Sequence, residues 1–328
     1  MTGKLLIYGA TGYTGRLVAE RAREVGLNFE IAGRGQKKVA ALAEALGVGH
    51  RIFALDDVDA VRRGLEGMDA VLNCAGPFAR TARPLMEACI DLGAHYLDIT
   101  AEFRVYELAE KLSDQAAAKG VMLLPCVGWD VVPSDCLALH VAGKVRDPMR
   151  LRVALQVAGT MSRGSAVSAG EIVGVGLLVR TDGEIVSAPA AQPATFDFGD
   201  GPVDCAPLSF GDLVTAWRST GIPNIEMFVH VAGMAFPEGD LSALPDGPSA
   251  EERAAHRAKV VAEVTGADGS TARALIDTVN GYSYTPLAAV EAARRILEGA
   301  GRTGFQTPAT LFGVAFASSI ADTVIIDL

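Results

Sequence analysis

Residues 4–15 read Lys4-Leu5-Leu6-Ile7-Tyr8-Gly9-Ala10-Thr11-Gly12-Tyr13-Thr14-Gly15. The apolar run Leu5–Tyr8 has the texture of a buried strand, and it breaks at Gly9. Just beyond, Leu17, Val18, Ala22 and Val25 recur at helical spacing. Glycines 9, 12 and 15 therefore fall where a strand turns sharply into a helix. In such a turn the first glycine permits the bend and the second lets a diphosphate approach the backbone. The third lets helix and strand pack closely. The open N–H groups and positive end of that helix attract phosphate. The spacing, Gly-x-x-Gly-x-x-Gly, has a longer first interval than the commonest dinucleotide pattern, so the strand before it and the helix after it carry the reading. Thr11, Tyr13 and Thr14 join the three glycines as candidate cofactor contacts.

The next strand says which nucleotide to expect. Asn28–Ala32 is a short β-type run, followed by Gly33-Arg34-Gly35-Gln36-Lys37-Lys38. A site for NAD places Asp or Glu at this strand end to hold the ribose 2′-hydroxyl. Here Gly33 takes that place and Arg34 follows. A carboxylate would repel a 2′-phosphate, whereas Arg34 offers it a planar, permanently charged fork. Lys37 or Lys38 adds a second charge, or else Arg34, Lys37 and Lys38 all simply solvate the start of a surface helix. Glu30 is a rival for the ribose, but it lies inside the strand. NADP(H) is the expected cofactor.

The 328 residues suffice for two domains with substantial cores. A hydrophobic share of 50% against 21% charged argues against disorder. The formal net charge of −10, with no basic cluster to offset it, disfavours nucleic acid as a partner. Cysteines 74, 89, 126, 136 and 205 form no Cys-x-x-Cys pair, and the histidines show no metal-ligand spacing. Reduced thiols and no metal are expected. A strand signal begins almost at once, so no signal peptide is expected. The longest apolar stretch, 311–326, is broken by Ser318, Ser319, Asp322 and Thr323, too short and polar to span a bilayer. A cytoplasmic protein is expected.

Strand and helix signals alternate through residue 125, with strands at Arg51–Leu55, Ala70–Cys74, His95–Ile99 and Val121–Leu124. Helices are expected at Lys37–Leu46, Val58–Leu65, Arg83–Leu92 and Val105–Lys119. This is the pattern of a doubly wound parallel sheet, an α/β Rossmann domain whose ligands sit at the carboxyl strand ends. Beyond Pro133 a linking helix is followed by long alternating runs, with hairpin turns at 198–202 and 266–269. A second α+β domain on a largely antiparallel sheet is expected, with helices at Ser165–Val179 and Gly211–Ser219. Residues 240–250 read as a loop, and helices at Pro286–Glu298 and Pro308–Ile320 close the chain. The expected domains are 1–133 with a returning segment of about 286–328 for the cofactor, and 134–285 for substrate and dimerisation.

Several blocks together carry a family resemblance. They are Gly9–Gly15 with Ala32-Gly33-Arg34, Asn73-Cys74-Ala75-Gly76-Pro77-Phe78, Tyr96-Leu97-Asp98-Ile99-Thr100-Ala101-Glu102 and Gly128-Trp129-Asp130-Val131-Val132-Pro133-Ser134-Asp135. With Gly304–Gly313 near the end, they resemble the saccharopine dehydrogenase-like oxidoreductases, with the closer likeness to the trans-acting enoyl reductase-like bacterial branch. The resemblance implies a Rossmann domain, an α+β second domain and a returning C-terminal segment. In the saccharopine reductases a Tyr follows the Pro of the second block. Here Phe78 stands there, and the hydroxyl is lost.

The chemistry expected is hydride transfer to or from a C=C or C=N bond of a small or carrier-bound substrate, in a cleft between the domains. A homodimer is the candidate assembly. Backbone around Ala75, Gly76 and Pro77 is expected to line the nicotinamide-side ribose. Asp98 and Glu102 either orient ribose or substrate, or cap the following helix. Asp130, beside Trp129 and an apolar run, is a candidate proton donor if burial raises its pKa, or else bonds backbone. Arg163, within Thr160-Met161-Ser162-Arg163-Gly164-Ser165, either binds a substrate anion or is solvated beside a helix cap. Tyr282 or Tyr284 is a further candidate donor. The rival function is a catalytically inactive NADP-binding regulator. No tyrosine is followed four residues on by lysine, which excludes short-chain dehydrogenase chemistry but not a sensor.

Overall fold

The computed structural model describes residues 3–232 and 244–328. Strands and helices alternate from the start: β1 (Leu5–Tyr8), α1 (Tyr13–Glu24), β2 (Phe29–Gly33), α2 (Gln36–Leu46), β3 (Gly49–Ile52), α3 (Val58–Leu65), β4 (Ala70–Asn73), α4 (Phe78–Leu92), β5 (His95–Asp98), α5 (Phe103–Lys111), α6 (Ser113–Ala118) and β6 (Met122–Leu124). They are followed by α7 (Val132–Ala142), β7 (Pro148–Ala158), α8 (Arg163–Gly174), β8 (Leu178–Thr181), β9 (Glu184–Ser187), β10 (Ala194–Asp197), β11 (Pro202–Pro207), α9 (Asp212–Thr220) and β12 (Asn224–Ala232). The chain closes with α10 (Ala250–Ala254), β13 (Arg257–Gly266), β14 (Thr271–Val279), α11 (Gly281–Arg295), β15 (Gly304–Phe305), α12 (Pro308–Phe312), α13 (Ala315–Ser318) and β16 (Val324–Asp327).

By contacts the chain forms two units. Unit 1 holds residues 3–100, 104–128 and 285–306; unit 2 holds 101–103, 129–284 and 307–328. In unit 1, seven strands lie in the order β15-β6-β5-β4-β1-β2-β3, and every pairing is parallel. Strands β1 and β4 are buried along their whole length, as apolar strands must be when helices cover both faces of a parallel sheet. The chain runs from β1 out through β2 and β3, then returns to β4 on the other side of β1. The strand order therefore reverses between β1 and β4, where sheets of this type bind ligands.

Unit 2 is built on a nine-stranded sheet whose main path is β10-β11-β12-β7-β13-β14-β16, with β8 pairing β12 and β9. Among the described residues only β7 and β12 run parallel; the other pairs are antiparallel, as expected. Helix α7 is buried from Val132 to Ala138 and packs on β13 and β14, with α9 beside it. On one sheet face the paired residues Phe228, Ala154, Val261 and Leu275 form a row, covered by Phe196, Phe198 and Cys205 of the β10–β11 hairpin.

Several expectations differ from the structure. Residues 307–328 were expected with the first domain but lie in unit 2, because β16 completes the sheet edge against β14. The helix expected over 165–179 stops at Gly174, and Leu178 begins a strand. The helix expected over 308–320 is broken at Gly313, whose φ of +78° leaves the helical region. The helix expected over 105–119 is two helices, α5 and α6. Of the loop expected at 240–250, residues 240–243 lie outside the described residues. Among the described residues, no helix is long and apolar enough to cross a membrane.

Candidate cofactor site and its supporting network

Gly9 ends β1 with φ +82°, and a β-carbon there would stand 2.7 Å from Ala75 in the loop after β4. A β-carbon on Gly15 would meet the Gly9 carbonyl oxygen at 2.3 Å. These two glycines hold β1, α1 and the β4 loop in close approach. Gly12 is different: it is exposed, and its nearest neighbour would be the Gly9 oxygen at 3.4 Å. As the N-cap of α1 it provides no side-chain cap, and the first turn of α1 contains no acidic residue. The start of α1 therefore offers backbone N–H groups and a positive end to an anion. Thr11 is exposed, and Tyr13 and Thr14 are half-buried in the same turn.

Arg34 follows the last residue of β2 and is exposed. Burial pushes the Tyr8 phenol up and the Arg34 guanidinium opposes this, so Arg34 lies within electrostatic reach of the end of β1. Lys37 sits exposed in the first turn of α2, whose N-cap Gly35 makes no side-chain cap bond and whose first turn has no acid. Among the described residues, neither Arg34 nor Lys37 forms an ion pair. Glu30 is not available to a ribose: it accepts bonds from Lys4 Nζ at 2.5 Å and Arg51 Nε at 2.6 Å. Burial disfavours its charge, but these two cations outweigh burial and hold its carboxyl below the usual range. The open turn, the capless helix starts and the uncommitted cations fit a dinucleotide bearing a 2′-phosphate.

The loop after β4 is held from within. Gly76 is exposed, Ala75 and Pro77 are half-buried, and the Gly76–Pro77 peptide is cis. Asn73 Oδ1 accepts the Ala75 N–H at 3.0 Å, and Thr81 Oγ1 donates to the Ala75 carbonyl at 2.6 Å. Asp98 is fully buried. Its Oδ2 accepts from Tyr96 Oη at 2.8 Å, while Oδ1 accepts the N–H groups of Thr100 (3.0 Å) and Cys126 (2.8 Å). The expected cofactor contact at Asp98 is thus an internal post that ties the ends of β5 and β6. The alternation Tyr96-x-Asp98, which puts both side chains on one strand face, was the available signal for it.

Unit 2 holds the remaining candidates. Tyr282 Oη accepts the Ser162 N–H at 2.8 Å and donates to Ser165 Oγ at 2.8 Å. Ser162 caps α8 by accepting the Ser165 N–H. The hydroxyl-rich segment is thus a helix cap with Tyr282 seated on it. Arg163 donates to the Leu244 carbonyl at 3.1 Å and lies 3.4 Å from Asp246, so its guanidinium is already engaged. Glu102 is buried and accepts from Ser168 at 2.8 Å. Tyr284 is buried and donates to the Ala317 carbonyl, a structural role. Asp130 retains part of its residue surface, but burial of its carboxyl pushes the pKa up to about 6. Two further buried carboxyls, Asp135 and Asp212, were not among the candidate site residues of the sequence. Burial also raises Asp135 to about 6, although Ser219 and the Ala309 N–H bond to it, and Asp212 is raised well above the ordinary value. No disulfide joins the five cysteines. Burial pushes the Cys74 thiol far up, with Asp98 adding to it, which makes it a poor nucleophile.

Residues 5–124 match the family model described as the saccharopine dehydrogenase NADP binding domain. A trans-acting enoyl reductase of Mycobacterium leprae is 34% identical over 139 residues, covering 40% of this chain and 33% of that protein. A human saccharopine dehydrogenase-like oxidoreductase is 30% identical over 161 residues, covering 43% of this chain and 38% of its own length. The chain thus matches about a third of the length of these relatives. In overall fold, the chain is similar to the apo saccharopine dehydrogenase (L-Glu forming) of Saccharomyces cerevisiae. The TM-score is 0.66 at 13% identity, covering 99% of this chain and 100% of the other. The resemblance seen in the sequence is borne out over residues 5–124, which are similar to saccharopine dehydrogenase NADP-binding domains.

Proposed function

We propose that the chain is an NADP(H)-dependent oxidoreductase acting on a C=C or C=N bond of a small or carrier-bound substrate. The observation that carries this reading is Arg34, uncommitted at the tip of β2, beside a glycine turn that opens onto the start of α1. Arg34 would hold the 2′-phosphate, the first turn of α1 the diphosphate, and the Ala75–Pro77 loop the far ribose. When bound, the nicotinamide supplies or accepts the hydride. The relatives' names span an enoyl reductase and saccharopine dehydrogenase-like proteins, which supports the two bond types. Phe78, buried at the start of α4, offers no hydroxyl and favours a substrate other than saccharopine.

Reduction also needs a proton. Tyr282 and Arg163 are engaged by the α8 cap and by Leu244, so Asp130 is the acid that the residues of unit 2 best support. A carboxyl with a pKa of about 6 still carries a proton in a useful fraction of molecules near neutrality. Stopped-flow oxidation of NADPH against enoyl thioesters, cyclic imines and keto acids with amines tests the reading. Turnover with one class supports it. Tight NADPH binding with no turnover on any would replace it with a redox-inactive regulator.

A further inference from the structure

Asn73 closes β4, Asp98 closes β5, and the two stand opposite each other in the parallel register. Tyr96 Oη accepts from Asn73 Nδ2 at 3.2 Å and donates to Asp98 Oδ2 at 2.8 Å. The other Nδ2 hydrogen of Asn73 goes to Thr81 Oγ1 at 3.0 Å, and Thr81 passes its own proton to the Ala75 carbonyl. The donor count closes. Tyr96 and Thr81 have one proton each and spend it away from Asn73, so both must accept from its amide, which has two. Asn73 Oδ1 is left to take the Ala75 N–H. A buried carboxylate thus fixes a phenol, the phenol fixes an amide, and the amide holds the Ala75 N–H directly and the Ala75 carbonyl through Thr81. Burial holds the Tyr96 phenol protonated, with the Asp98 charge adding to the effect, so the donor is constant.

The place of this clamp matters. Arg34 lies on the β2 side of β1, and the start of α1 lies at β1 itself. A dinucleotide anchored at both must extend its other half toward β4, where Ala75 abuts Gly9.

We propose that Asn73, Thr81 and Tyr96 are positioning residues for the nicotinamide half of the cofactor, acting through the Ala75-Gly76-Pro77 loop. This inference rests on the proposed reading that NADP(H) binds across the β1–β4 crevice. None of the three touches the adenosine half. Removing the Tyr96 hydroxyl therefore loosens only the far end of the bound molecule.

Calorimetric titration of NADPH and of 2′,5′-ADP, which lacks the nicotinamide half, separates this from a general scaffold role. For Tyr96→Phe, NADPH affinity is expected to fall about fivefold, while 2′,5′-ADP affinity stays within roughly twofold of the wild type. Thr81→Val, which keeps shape but loses the Ala75 bond, is expected to show the same split and guards against a folding defect in the first variant. Equal losses for both ligands, or no loss for either, in both variants would overturn the inference. A wild-type protein that binds NADPH no better than 2′,5′-ADP would instead overturn the reading on which it rests.

Discussion

Gly15 stands so close to Gly9 that a β-carbon on it would lie 2.3 Å from the Gly9 carbonyl oxygen. This contact seats α1 against the end of β1 and aims its first turn at the crevice. Gly12, three residues earlier, faces no such crowding. The two glycines therefore serve different ends, one for packing and one for access.

Gly15→Ala is expected to lower stability by about 1–3 kcal/mol, since the clash is with backbone that cannot swing away. Gly12→Ala is expected to stay within about 1 kcal/mol of the wild type yet bind NADPH about tenfold more weakly, its methyl standing where the diphosphate approaches. Thermal melts paired with NADPH titration check both. A Gly12→Ala protein with unchanged affinity would contradict the assignment of the turn.

Asp212 opens α9 fully buried, and among the described residues neither of its carboxyl oxygens has a hydrogen-bond partner. The neighbouring Ser134 hydroxyl donates instead to the carbonyls of Val131 (3.1 Å) and Asp130 (3.4 Å). Burial raises the Asp212 carboxyl, the nearby Ser134 hydroxyl opposes this in part, and the charges of Asp135 and Asp130 raise it further. A carboxyl raised on folding stabilises the protein in its protonated form. Its contribution is complete below the unfolded value near 3.8 and is lost as pH rises through the folded value, about 6 for Asp130 and Asp135. Unfolding in urea should therefore show stability falling as pH rises from about 4 to about 6, the interval between the unfolded value and the folded value of Asp130 and Asp135. Asp212→Asn should restore about 1–3 kcal/mol at pH 8 and little at pH 4. An equal effect at both pH values would contradict this.

Asp130 carries a second pH expectation. Asp130→Asn should cut turnover about a hundredfold while NADPH affinity stays within roughly twofold. In the wild type, reduction should slow as pH rises through about 6, the pKa to which burial brings this group. Loss of that pH limb in the variant is the expected outcome. Its persistence would assign the proton to another group.

The parts legible in the sequence were those with local causes. The β1 turn, α1 and the alternation through β6 follow from apolar periodicity and from glycine chemistry that acts over a few residues. Arg34 was legible because one position after β2 decides between repelling and attracting a 2′-phosphate. Long-range pairing was not. Val324–Asp327 reads equally well as a helix tail or a strand, and only its register with Ala274–Asp277 makes it β16. Asp98 looked like a ligand because a carboxylate at a strand end usually faces solvent. Instead it is buried and accepts the N–H of Cys126, 28 residues away. Nothing in the sequence singles out Asp212, because an acid in a first helical turn is ordinarily favourable; its burial comes from long-range packing around α9, which lies against α7.

If the β1 turn and Arg34 together bind NADP(H), the two should separate NADPH from NADH. In calorimetric titration of both dinucleotides into wild type and Arg34→Ala, the wild type is expected to prefer NADPH, and Arg34→Ala to lose about tenfold to a hundredfold in NADPH affinity while NADH changes by less than roughly twofold. Equal losses for the two dinucleotides, or no binding of either by the wild type, would contradict it.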